Sequence, residues 1–135
     1  MQKKNSGSCL CGQVKFELEG TFESFFLCHC KFCQKDTGSA HGANLFSSNA
    51  QLNWIAGADK VKTYTLPLTR HTKSFCLDCG SALPNSQMDG KLIVVPAGSL
   101  DTEVTIKPNA HIFCSSSASW EHELDKIKKF DLFPS

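Results

Sequence analysis

Eight cysteines stand out in this chain of 135 residues, and seven of them fall at short spacings. Cys9 and Cys11 form C-x-C, Cys28, Cys30 and Cys33 form C-x-C-x-x-C, Cys76 and Cys79 form C-x-x-C, and Cys114 stands alone. A disulfide framework spreads its cysteines so that bridges close long loops, whereas a metal site needs two or three thiolates close to one point. The spacing therefore points to zinc. The stretch from Met1 to Gly7 carries lysines but no apolar run behind them, so no secretory signal is expected. In the reducing, cytoplasmic compartment this implies, thiolate clusters hold metal rather than persistent disulfides.

Two ions are expected, of different kinds. In an extended segment residues two apart share a face, so Cys9 and Cys11 reach one ion while Leu10 turns away. Cys76-Leu77-Asp78-Cys79-Gly80 has the form of a zinc knuckle, with Gly80 free to take a backbone angle closed to other residues. These four thiolates make a closed structural site that joins distant parts of the chain, and the free energy of binding such an ion is folding free energy. Cys28, Cys30 and Cys33 offer three sulfurs and leave a position open, the arrangement that zinc enzymes use. The alternative is a second structural zinc, completed by a histidine or by Cys114. His29, between two of these ligands, is a candidate to orient substrate or relay a proton, although alternation turns it from the metal if the loop is extended.

These groups need a scaffold, and the patterning is that of strands. Gln13 to Glu19 alternates apolar with polar residues between Gly12 and Gly20 and reads as a half-buried strand. Phe22 to Leu27 suits a second strand that delivers the three-cysteine loop at its end. Leu52 to Ile55, Val61 to Leu66, Leu92 to Val95 and His111 to Phe113 add strands, separated by turn chemistry at Ala56-Gly57-Ala58-Asp59, Pro67 and Asp89-Gly90. Ser119 is placed to cap a short C-terminal helix through Leu124, with acidic residues near its start. Length and composition fit one domain, residues 1–135, with a single core.

Charge and hydropathy exclude several classes. The 14 lysines and arginines against 13 acidic residues leave a net charge of +1, so no polyanionic partner is implied. Lys126, Lys128 and Lys129 stand among Glu121, Glu123, Asp125 and Asp131 and read as a solvated face, so nucleic acid is not expected. The longest aliphatic run, Leu92-Ile93-Val94-Val95, is far short of the roughly 20 residues a bilayer requires, so no membrane segment is expected.

The ordered motifs resemble the glutathione-dependent formaldehyde-activating family, which includes centromere protein V-like domains. The resemblance runs over about residues 8–120 and rests on Gly7-Ser8-Cys9-Leu10-Cys11-Gly12, Cys28-His29-Cys30 with Cys33, and Thr37-Gly38-Ser39-Ala40. It continues through Phe75 to Ser81, Pro96 to Asp101, and Pro108 to Phe113 with Trp120. It implies a mainly β fold, a β-tent of antiparallel sheets. It also implies a structural zinc on Cys9, Cys11, Cys76 and Cys79, and a second on Cys28, Cys30 and Cys33. Members often carry arginine directly after the third cysteine of the loop, where this chain has Gln34 and then Lys35.

A zinc held by three thiolates is a weak Lewis acid but suits a sulfur substrate, because coordination keeps a thiol ionised. The expected activity is that of a carbon–sulfur lyase or synthase on thiol–aldehyde adducts such as S-hydroxymethylglutathione. Its partners are then a small thiol, glutathione or similar, and a small aldehyde; a homodimer stays open. A non-catalytic module with two structural zincs and a protein or nucleic-acid partner is the rival reading. Thiol–disulfide exchange at Cys76 and Cys79 is a weaker third. Around the loop, His111 is placed either in the pocket or as a strand histidine, Thr37-Gly38-Ser39 as a source of backbone amides or a plain turn, and Phe46 and Trp54 as core. Cys114 reads as a buried filler or a fourth ligand.

Overall fold

The computed structural model describes residues 4–134. The expected alternation appears in the first of three sheets, built from β1 (Lys4–Ser8), β2 (Lys15–Glu19) and β5 (Gln51–Ala56) in the order β1-β2-β5. Phe16 and Leu18 of β2 are buried, their neighbours are not, and Phe16 meets Trp54 of β5 edge-on with ring centroids 5.9 Å apart. Burying side chains of this size stabilises the fold by about 1.5–3 kcal/mol each.

A second sheet of five strands carries the three-cysteine segment. Its order is β11-β3-β4-β10-β9, from β3 (Ser24–Cys28), β4 (Gly42–Ser47), β9 (Asn85–Gln87), β10 (Leu92–Pro96) and β11 (Ala110–Ile112). All its pairings are antiparallel except β11 with β3, which is parallel. β6 (Val61–Thr65), β7 (Thr72–Cys76) and β8 (Ala82–Leu83) form the third sheet. The molecule is thus mainly β, in agreement with the β-tent expectation. Its core takes Val14, Phe16 and Leu18 from the first sheet region, Phe25, Leu45, Ile93 and Val95 from the second, and Leu83 from the third. Cys9 and Cys76 are buried in that same cluster.

Two local structures differ from the sequence-based expectation. The three cysteines do not sit on a plain loop, because an α-helix, α1 (Lys31–Thr37), begins between them. Cys30 is its N-cap, its Sγ accepting the Cys33 N–H at 3.3 Å, and Gly38 ends it at φ 67° with its N–H on the Gln34 carbonyl. Only glycine enters that left-handed conformation cheaply. The C-terminal helix takes the form of two short 3-10 turns, Ser119–Glu121 and Leu124–Lys126. Glu123, at φ 59°, separates them, and Ala118 rather than Ser119 occupies the N-cap position.

Candidate metal centre

Cys9 and Cys11 lie on a tight turn closed by the Gly12 N–H on the Cys9 carbonyl at 3.0 Å, not on an extended segment. Cys76 ends β7, and the chain folds back through Gly80, at φ 73°, whose N–H reaches the Cys76 carbonyl at 2.8 Å. The two turns bring all four sulfurs within 4.8 Å of one another. Cys9 and Cys11 Sγ are 3.6 Å apart and Cys11 and Cys76 Sγ 3.9 Å. Zinc–sulfur bonds at the tetrahedral angle place sulfurs about 3.8 Å apart, so the four residues fit such an ion.

The thiols in this cluster differ in acidity. Cys79 is brought down to about 5 by the Ser81 hydroxyl and N–H and by the Cys11 N–H. Desolvation opposes ionisation of Cys9, but the Val14 N–H, 3.2 Å from its sulfur, and the neighbouring thiols bring it below the ordinary thiol value. Cys11 is pushed up to about 11: the Gln13 N–H favours its thiolate, yet desolvation and the crowd of sulfurs prevail. Four thiolates this close repel, and a divalent cation removes that conflict.

Cys28, Cys30 and Cys33 form the second cluster, also with sulfurs within 4.8 Å. β3 delivers Cys28, the helix N-cap delivers Cys30, and the first turn of α1 delivers Cys33. Burial pushes the Cys28 and Cys33 thiols up. Cys30 is lowered: desolvation is outweighed by the Cys33 N–H and the adjacent sulfurs. Gly42 of β4 faces this cluster, with the site of an added Cβ 3.5 Å from Cys33 Sγ. Among the described residues no fourth cysteine, histidine or carboxylate joins the three. Cys114 is exposed on the 3-10 turn Cys114–Ser116 and is neither a buried filler nor a ligand of this cluster.

The three cysteines border a cavity of about 470 Å³ between the second and third sheets. Phe32 and Phe46 supply apolar wall, so Phe46 is a cavity residue rather than a core one; it also meets Phe26 with ring centroids 5.9 Å apart. Arg70, His71 and Lys73 supply the polar side, two of them cationic, a contribution the linear sequence did not signal. Asp36 of α1 engages two of them, with Oδ2 2.8 Å from His71 Nε2 and Oδ1 2.9 Å from Lys73 Nζ. Arg70 has no ion-pair partner among the described residues.

Other candidates fall elsewhere. His29 is buried but does not line the cavity; its Nε2 lies 2.8 Å from Nδ1 of the exposed His111. Gln34, standing where a cation was expected, donates its amide to the carbonyls of His29 and Ser116, at 2.8 and 2.9 Å. It therefore ties α1 to the Cys114–Ser116 turn. The Gly38 and Ser39 amides are already donated, to the Gln34 carbonyl and the Thr37 hydroxyl, so that segment serves as a helix terminus. Cys76 and Cys79 share their surroundings with two further thiols and lie in an antiparallel hairpin, which leaves no redox-motif context.

A family model described as glutathione-dependent formaldehyde-activating enzyme matches residues 4–116. The fold is similar to the crystal structure of a Rhodobacter sphaeroides protein, with a TM-score of 0.58 and 22% identity over 78% of this chain and 98% of that one. No described helix is long and apolar enough to cross a membrane.

Proposed function

The chain belongs to the glutathione-dependent formaldehyde-activating enzyme family, and from that premise we propose that it is a cytoplasmic carbon–sulfur lyase or synthase acting on thiol–aldehyde adducts such as S-hydroxymethylglutathione. The observation that carries this reading is the meeting of three cysteine sulfurs with an aromatic and cationic cavity. Zinc is the proposed cofactor at both cysteine clusters, structural on Cys9, Cys11, Cys76 and Cys79. At Cys28, Cys30 and Cys33 it would supply an open coordination position that keeps a substrate thiol ionised at neutral pH.

The chain's own residues do the remaining work. Phe32 and Phe46 shield the reacting atoms from water, and Arg70 offers a free cation to a carboxylate of the thiol substrate. In the synthetic direction the sulfur electron pair forms the C–S bond to the aldehyde carbon. The carbonyl π pair moves to oxygen, which takes up the proton that the thiol released. Cleavage runs the same steps backwards. Holding the two reactants together is the larger part of the rate gain, because thiols and formaldehyde already combine in water. His29, outside the cavity, is a positioning residue: its carbonyl holds Gln34 and its N–H reaches the Ile112 carbonyl at 2.9 Å. The non-catalytic alternative requires a closed fourth position, and among the described residues no fourth cysteine, histidine or carboxylate joins the three sulfurs.

The test is exchange spectroscopy by NMR on glutathione, formaldehyde and their adduct with zinc-loaded protein. Faster exchange than in buffer, lost in Cys30→Ser with the fold retained, supports the assignment. An exchange rate equal to that without protein ends it.

A further inference from the structure

Beside the end of β3, and outside the lining of the cavity, three side chains converge that the proposed reaction does not use. His29 is 3% exposed, and its Nδ1 is buried without a hydrogen-bond partner. Oε2 of Glu121 comes within 3.0 Å of that nitrogen but not in hydrogen-bonding alignment. The His41 ring lies beside it, with centroids 5.1 Å apart and planes inclined at 56°. His29 Nδ1, a ring nitrogen of His41 and a carboxylate oxygen of Glu121 all lie within 4.8 Å of one another.

We propose that His29, His41 and Glu121 form a further binding site for a divalent transition-metal ion of the zinc class, distinct from both cysteine clusters. The donor set decides the class: two imidazoles and a carboxylate suit borderline ions, whereas calcium and magnesium prefer oxygen alone and copper(I) prefers sulfur. Bonds of about 2.0–2.1 Å at the tetrahedral angle separate nitrogen and oxygen donors by about 3.3 Å, close to the observed approach of His29 to Glu121. His111 supplies the outer support. When His29 Nε2 donates its proton to His111 Nδ1, 2.8 Å away, the Nδ1 lone pair is the one offered to the ion. Coordination also satisfies a buried nitrogen that otherwise has no hydrogen bond.

None of the three residues lines the cavity, and Glu121 lies beyond the family-matched residues 4–116. The ion would join the end of β3 and the start of β4 to the 3-10 turn Ser119–Glu121, fastening the C-terminal segment to the central sheet. The site rests on side-chain geometry alone and stands or falls independently of the thiol–aldehyde reading.

The test compares zinc content per chain, by elemental analysis after equilibrium dialysis against zinc chloride, in wild type, Glu121→Gln and His41→Asn. One zinc fewer in each variant, with circular dichroism unchanged, supports the site whatever the cysteine clusters hold. A second readout is hydrogen exchange in the Ser119–Glu121 turn, which added zinc slows in wild type and not in Glu121→Gln. Equal zinc in all three proteins, or a turn indifferent to zinc in wild type, overturns it.

Discussion

Asp36 Oδ2 lies 2.8 Å from Nε2 of His71, across the cavity that separates the helix carrying Cys33 from the strand ending in Cys76. The same carboxylate holds Lys73 through Oδ1, and Lys73 Nζ also donates to the Asp36 carbonyl at 2.6 Å. One aspartate thus ties α1 to the third sheet beside the candidate centre.

Asp36→Asn is expected to lower stability by about 1–2 kcal/mol, because Lys73 loses a charged partner and His71 a carboxylate acceptor in a partly buried setting. Urea midpoints of wild type and variant check this. A midpoint unchanged within error removes the latch from the account of the fold.

Metal removal is expected to unfold the domain. Structural zinc binding is worth about 10–16 kcal/mol, as much as the roughly 5–15 kcal/mol that holds a typical domain together. Far-UV circular dichroism of zinc-loaded protein with excess chelator reads the loss, and Cys79→Ser is expected to match it. Cys114→Ser, at an exposed position, is expected to stay within about 0.5 kcal/mol of wild type.

Arg70→Met keeps the aliphatic stem and removes the charge. At an exposed site the loss is about 0.5–1.5 kcal/mol, so KM for glutathione is expected to rise two- to tenfold while kcat holds. A neutral thiol is expected to show no change. The wild-type advantage is expected to shrink with added salt. Equal effects on charged and neutral thiols contradict a carboxylate contact.

The Glu23 carboxylate accepts from both the hydroxyl and the N–H of Ser48, the latter at 2.7 Å. Desolvation works against its charge, but the Ser48 donors prevail and hold it below the usual glutamate range. A depressed folded-state value stabilises above the ordinary glutamate pKa of about 4.3, and that contribution is lost as pH falls through the folded value. Ser48→Ala is expected to move the Glu23 titration upward by NMR and to cost stability at pH 7 more than at about pH 3.

Much of this was legible from local pattern. The C-x-C and C-x-x-C spacings separate the cysteines into clusters because ligands of one ion must lie within a few ångströms, and short spacings guarantee that without tertiary help. Phe16 and Leu18 announce a half-buried strand because pleating sends alternate side chains to one face. β4 was not legible: Gly42-Ala43-Asn44-Leu45-Phe46-Ser47 has weak alternation, since its glycine is set by the nearness of Cys33 rather than by a solvent face. α1 was hidden for another reason, being only 7 residues long and capped by a cysteine whose sulfur takes the place of a hydroxyl.

The amino-acid order by itself determined which residues carry sulfur chemistry and the β character of the scaffold, because both depend on neighbours a few positions apart. The tertiary structure alone decided that Asp36 engages both His71 and Lys73, that Arg70 and not Gln34 faces the cavity, and that Glu121 turns back onto His29. Those pairings arise from the way three sheets share one core, and contacts between distant segments leave no periodic trace in a single chain.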